Sequence, residues 1–502
     1  MKPATALLAC AIALLGAAPE NHPKAREILD EAALAAPGAK PEVAATAMRR
    51  IGENYDAFSK PKAIGYLKRA FDLSLGIPPA ENLGRERIQA AIAGTLAVHN
   101  LPDAIEMLKR ITAASGPNDP RTSTIDKIVS LLTGKKQFDE AIDLVTTLGA
   151  TGQYPYAAAR QIFEKLPKND LRRPMVFGNA MTAYPARPSL EFGEFLAAVW
   201  SELPARTAEA SLRSVVETVL AMKDDGLTES FGTTKGALVL ANRQEVELFD
   251  LLPLLLKVDP KKAEEILAQK PNLRAAITRF PNGRASTGQF VTSSRGYQDT
   301  TAQAATSAAY MQVIEQIDKV INGLGDTVTE AEVDRIMNLA TGIPVPETRA
   351  ALLSELAQAT TDDQPEIAKM VLAKSLDLLK DSKDPNLRLE AWKEVARLAF
   401  GLHDTEAAWN ALNQMADAAL ALYKLDTDVD NPNTGLTDDW PSTNAWRNTI
   451  ITAAELLGAN AETLVLRIPD PDIALLIRIE LAQKLLGRPH EVWVTSLRTP
   501  KK

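Results

Sequence analysis

Apolar residues recur at helical spacing along almost the whole chain, whereas runs of alternating β-branched residues are missing and Ala and Leu dominate. The pattern predicts an all-α protein. Its clearest expression is in four segments, KAIGYLKRAFDL, DAIEMLKRI, EAIDLVTTL and EAAWNALNQM. Their apolar sets are Ala63, Ile64, Leu67 and Ala70; Ala104, Ile105, Leu108 and Ile111; Ala141, Ile142, Val145 and Leu148; and Ala408, Trp409, Leu412 and Met415. All four follow i, i+1, i+4, i+7, which is one face of a helix.

Each of these segments is preceded by another amphipathic one. The first partner carries Met48, Ile51, Gly52 and Tyr55, and the second Ile88, Ala91, Ile92 and Thr95. The third carries Ile125, Ile128, Val129 and Leu132, and the fourth Trp392, Val395, Ala396 and Ala399. From the first residue of each set to the partner Ala the offset is 15, 16, 16 and 16, which fits two helices joined by a short turn. At Met48-x2-Ile51-Gly52-x2-Tyr55 and Trp392-x2-Val395-Ala396 the sequence resembles a tetratricopeptide repeat, whose first helix reads W-x2-L-G-x2-Y. The resemblance covers about a third of the chain. The partner alanines 63, 104 and 141 are 41 and 37 apart, against a family period of about 34. A degenerate or convergent α-α hairpin solenoid, or superhelical repeat array, is the fold this implies. Such an array would bury each hairpin against its neighbours and expose a long surface.

Leu212–Met222, Val246–Val258, Ala305–Ile321, Ala350–Leu356, Ile367–Leu379 and Ile473–Leu486 also read as helices. Three stretches interrupt the pattern: 224–236, 281–301 and 426–442. The second, PNGRASTGQFVTSSRGYQDTT, is too long and too polar for an ordinary helix connection. It suggests an N-terminal helical-repeat half, 19–280, and a C-terminal half, 302–502, joined by the polar loop 281–301.

The first eighteen residues, MKPATALLACAIALLGAA, have the layout of a secretory signal peptide, with one Lys, an apolar stretch and small residues before Pro19. Leu7-Leu8-Ala9-Cys10 is similar to a lipoprotein processing box, but the apolar run continues beyond Cys10, and lipidation is disfavoured. No later stretch approaches a membrane span, since even Leu248–Val258 is broken by Asp250, Pro253 and Lys257. The expectation is an exported protein of a bacterial periplasm or cell envelope. Cys10 is the only cysteine, so a mature chain cleaved near Ala18 would have no thiol for disulfides, nucleophilic catalysis or thiolate metal sites. Lys and Arg number 56 against 64 Asp and Glu, a net charge of −8, which argues against a nucleic-acid partner.

Chemistry-bearing motifs are sparse. His22, His99, His403 and His490 have no second His within helical reach, and GTTKG at 232–236 lacks Walker spacing. Asp404, after His403, reads as a helix cap. Phe192, Phe195 and Val199 form a stripe that reads as core. Four of the six tryptophans, Trp392, Trp409, Trp440 and Trp446, fall within 55 residues. The first two match repeat core positions. Trp440 and Trp446 flank an acidic loop and are candidates to line a ligand cleft, a staple over the core being the alternative. Arg284 and Arg295, in the polar loop, are candidates to gate a groove. The loop DTDVDNPNTGLTDDW places Asp426, Asp428 and Asp430 at alternate positions, as in a calcium loop, with Asp438 as a late closing ligand. Asn431 replaces the usual Gly and Pro432 opposes the turn, so a solvated acidic linker without any cofactor is the competing reading.

The functional expectation is a non-catalytic helical-repeat protein that binds a protein or peptide along its array surface. An α-toroid envelope enzyme, such as a polysaccharide lyase or glycosidase, is the alternative. The two differ in that an enzyme requires polar side chains from separate repeats, with perturbed ionisation, in one pocket.

Overall fold

Prolines and short polar side chains set where the helices begin. Pro is the first residue of eight of them, among them the helices starting at Pro41, Pro260, Pro385 and Pro471, where its missing N–H would have had no partner in the helix. Asn100, Asn242, Asp384 and Asp470 each cap the following helix by accepting a hydrogen bond from a first-turn N–H. Asp404 does the same from Ala407 at 2.9 Å, as its sequence context predicts.

The computed structural model describes residues 21–79, 83–114, 119–187, 189–223, 229–233, 236–288, 291–292, 329–343, 345–358, 361, 364–426 and 441–488. They are mostly helical, and the chain groups into two compact units, one formed by Met1–Ile88 with Asp299–Lys502 and the other by Gln89–Gln298. The chain begins with α1 (Asn21–Ala35), α2 (Pro41–Tyr55) and α3 (Lys60–Ser74), and α4 (Gly84–His99) crosses the first boundary. The second unit continues with α5 (Leu101–Arg110), α6 (Thr122–Gly134), α7 (Phe138–Thr151), α8 (Tyr156–Lys165), α9 (Arg172–Ala183), α10 (Leu190–Val199) and α11 (Ala205–Leu220). Strands β1 (Glu229–Thr233) and β2 (Gly236–Leu240) follow, then α12 (Arg243–Val258), α13 (Pro260–Gln269), α14 (Pro271–Arg279) and β3 (Val291–Thr292). The chain returns to the first unit with α15 (Glu330–Ala340), α16 (Pro346–Gln358), α17 (Pro365–Leu379), α18 (Pro385–Gly401), α19 (Thr405–Asp426), α20 (Pro441–Leu457), α21 (Glu462–Val465) and α22 (Pro471–Leu485).

All eight repeat segments are helices, and α2 packs on α3, α6 on α7 and α18 on α19. Their first, fifth and eighth apolar positions are buried in all four second helices. The adjoining position, filled by Ile64, Ile105 and Trp409, is only half-buried in three of the four, because it lies about 100° round from the first and reaches the edge of the face. Gly52 is the contact point of the first hairpin. A Cβ there would lie 2.8 Å from Leu67 Cγ and 3.0 Å from the Ala63 carbonyl oxygen, so any larger residue would push α2 and α3 apart.

In the first unit the packing order runs from α16 and α17 through α18, α19 and α20 to α22, and α22 then packs on α1 and α2. One unit boundary falls inside 281–301, while the other, at Ile88, groups the N-terminal helices with the C-terminal ones. The physical reason is burial: Ile28 and Leu29 of α1, Met48 of α2, and Ile473 and Ile477 of α22 are all core residues.

The second unit departs from pure helix. β1 pairs antiparallel with β2, in a register that sets Phe231 opposite Leu238, and with β3 along its other edge. Two of the polar interruptions therefore meet in a three-stranded sheet. Phe231, Leu238 and Leu240 are buried, and β2 packs on α14. Among the described residues no helix is long and apolar enough to cross a membrane.

Candidate functional site

Helix α8 is entered through Pro155, whose side chain offers no cap. The first N–H groups of the helix must therefore find acceptors elsewhere. Two neighbouring helices bring carboxyls to them: the Ala157 N–H pulls the Glu191 carboxyl of α10 down and the Ala158 N–H the Asp126 carboxyl of α6. A helix N-terminus favours negative charge, but burial prevails here. Desolvation pushes the Asp126 carboxyl up to about 6, with the Ala158 N–H opposing it. The Glu191 carboxyl is also raised, first by burial and then by the charges of Asp126 and Glu194, against the pull of Arg284 and the Ala157 N–H. Both groups thus favour their neutral forms more than a solvated carboxyl does.

Tyr156, Ala157, Arg160, Gln161, Glu164, Glu191 and Glu194 wall a half-open cavity of about 240 Å³. Tyr156 is fully buried, with its ring 4.9 Å from Tyr154 and 5.3 Å from Phe192. Burial raises its phenol strongly, and the nearby carboxylates add to this, so it stays a neutral hydroxyl. Phe192, Phe195 and Val199 pack behind it as the core stripe read from the sequence. Four polar atoms in and beside the cavity are buried without a hydrogen-bond partner among the described residues: Tyr156 Oη, Gln161 Oε1, Glu191 Oε2 and Asp126 Oδ1. Buried polar atoms are nearly always paired. A cluster of four oxygens that are not is the feature that marks this site.

Cations stand at its edges. Arg160 Nε donates to Glu164 Oε1 at 2.7 Å, and Arg284 Nη1 lies 3.0 Å from Glu194 Oε1. Arg284 is itself fixed by Asp250, which accepts from its backbone N–H at 2.8 Å and from its Nε. Gly283 allows this arrangement with φ +60, a Cβ there meeting the Phe249 carbonyl oxygen at 2.8 Å. A larger depression of about 490 Å³, walled by Ala331, Asp334, Arg335, Asn338 and Leu339, draws on α15 alone and brings no separate segments together.

The residues selected from sequence are placed differently. Arg284, the candidate to gate a groove, is drawn in by the buried Asp250 carboxylate and reaches the cavity through Glu194. Trp446 is fully buried on α20, in the core and not on a cleft wall. Trp392 and Trp409 are half-buried on α18 and α19. Asp426 is 8% exposed, and its Oδ2 accepts from the Ser442 N–H at 2.9 Å, tying the end of α19 to the start of α20. That oxygen serves the backbone. Arg295, Trp440, Asp428, Asp430 and Asp438 lie outside the described residues. Among the described residues no group of three or more His, Cys, Asp or Glu is arranged to hold a metal ion.

Sequence reasoning passed over Asp126, Tyr156, Glu191 and Gln161. The one local signal was a helix beginning after Pro155 with no capping side chain, which requires acceptors without saying whose they are. Comparison with known proteins adds no identity: no family model matches the chain, and no curated protein matches it.

Proposed function

We propose that this chain is an exported helical-repeat protein of a bacterial envelope, tetratricopeptide-like in its hairpins, that binds a protein or peptide and performs no catalysis. The cavity at α8 is the observation that carries the reading. It is half-open, it is walled by α8 and α10, and in and beside it lie buried oxygens with no hydrogen-bond partner among the described residues, as in a receptor for an incoming group. The packed hairpins support it as well, since stacked repeats hold such a surface rigid.

A second reading, an α-toroid hydrolase or lyase, draws on one specific observation: two carboxyls from separate helices, Asp126 and Glu191, with raised ionisation at one site. A paired-carboxylate mechanism needs one of them neutral as acid and the other charged. Cross-linking in the native envelope followed by mass spectrometry separates the two. The binding reading expects a reproducible protein partner. Recovery of none, while the purified chain turns over a glycan or peptide library, would replace it with the enzyme.

A further inference from the structure

We propose that the α8 cavity is a binding site for a cationic nitrogen group, an ammonium or guanidinium presented by the ligand. The chemistry follows from what is unsatisfied there. Gln161 Oε1, Glu191 Oε2 and Asp126 Oδ1 can only accept when the carboxyls are ionised, and the Tyr156 hydroxyl can accept as well as donate. With the carboxyls ionised, these oxygens need donors, which selects a ligand rich in N–H.

Charge points the same way. Asp126, Glu164, Glu191 and Glu194 face or adjoin the cavity, against the guanidiniums of Arg160 and Arg284, and Arg284 also serves Asp250. The balance is negative when the carboxyls are ionised. An entering cation would restore the charged form of Glu191 and Asp126, which burial disfavours. With about 240 Å³ available, the site accommodates one side-chain-sized group, not a folded segment.

This inference rests on the binding reading only for what carries the group. Two sources share the chemistry: a Lys or Arg side chain of a partner, or a free polyamine.

The test is isothermal titration calorimetry on the full chain at neutral pH. Its probes are N-acetyl-lysine N-methylamide, N-acetyl-arginine N-methylamide, spermidine and the uncharged N-acetyl-norleucine N-methylamide. At least one cationic probe is expected to bind at one site while the norleucine probe gives no heat. Tighter binding of the lysine or arginine probe identifies a side-chain ligand, and tighter binding of spermidine identifies the polyamine. Glu191→Gln and Tyr156→Phe are each expected to weaken binding at least tenfold, and affinity is expected to fall as pH drops through 6. Carbodiimide labelling of Glu191 and Glu194 in the unmodified chain provides a readout that needs no variant, with protection expected from the cationic probe alone. The absence of heat for every cation, equal binding of norleucine, or labelling unchanged by the probe would overturn the site. A missing partner in the envelope together with cation binding would remove the protein-binding reading and leave this site standing.

Discussion

Arg50 on α2 and Glu480 on α22 lie 3.6 Å apart, with side chains only 1% and 2% exposed. The same carboxylate accepts from Arg447 Nε of α20 at 3.0 Å. Taking three charges out of water is costly, and mutual attraction offsets the cost only while all are present. The triad therefore makes the first hairpin and the last helix of the unit mutually dependent. Glu480→Ala, which leaves two buried guanidiniums facing each other, is expected to cost about 3 to 5 kcal/mol in urea unfolding. A cost below about 1 kcal/mol would mean that the triad is solvated.

The repeat register has its own test. Leu412, at the fifth position of its helix face, is fully buried on α19. Leu412→Ala is expected to lower unfolding free energy by about 2 to 5 kcal/mol, the transfer and cavity costs of a truncated core leucine. A loss under about 0.5 kcal/mol would contradict the assigned face.

What was legible in the sequence was whatever depends on a helix's own periodicity. Ala408, Leu412 and Met415 announce a buried face because their spacing alone determines it. The contact between α2 and α22 was hidden because no local pattern relates Arg50 to Glu480. The small sheet was hidden because β1 has five residues and β3 two, too few to establish a period of two, and Gly232 weakens the signal further. Beside an acidic stretch, Trp446 fits either a cleft wall or a staple over the core, and its place in the helix carries it into the core. The cavity was invisible for a similar reason. Asp126, Tyr156 and Glu191 sit on three helices that each look ordinary, and only packing brings them to one N-terminus.

The raised Asp126 carboxyl makes stability depend on pH in a defined direction. Its value rises from 3.8 to about 6 on folding, so within that window the native chain binds the proton more tightly than the unfolded one. The stability it lends is present below the window and is lost as pH rises through about 6. Asp126→Asn keeps the shape of the side chain and removes the charge. It is expected to stabilise the chain at pH 7.5 by about 1 kcal/mol, a figure discounted for the partial exposure of the group. At pH 4 its effect should be small. Equal effects at the two pH values, followed by thermal melting, would show that the carboxyl is not buried in its charged form.

Gly152, between α7 and α8, leaves room for a buried pair in which Arg121 Nη2 donates to Asp119 Oδ2 at 2.8 Å. A Cβ at Gly152 would collide with both side chains. Gly152→Ala is expected to destabilise the chain by about 1 to 3 kcal/mol. Arg121→Met carries its own cost by leaving the buried Asp119 unpaired, but in that background Gly152→Ala should cost less than it does alone, and a denaturation series on the four chains would reveal the coupling.

A partner that presents a Lys or Arg side chain is expected to engage the cavity at α8. A photoreactive amino acid in place of Arg160, on the cavity wall, tests it in the native envelope. The expected result is a defined adduct whose linked peptide contains a Lys or Arg next to the cross-linked position, and loss of that adduct when Glu191→Gln is added. Adducts that persist with Glu191→Gln, or that form equally when the photoreactive residue stands at the exposed Phe400 of α18 instead, would contradict it.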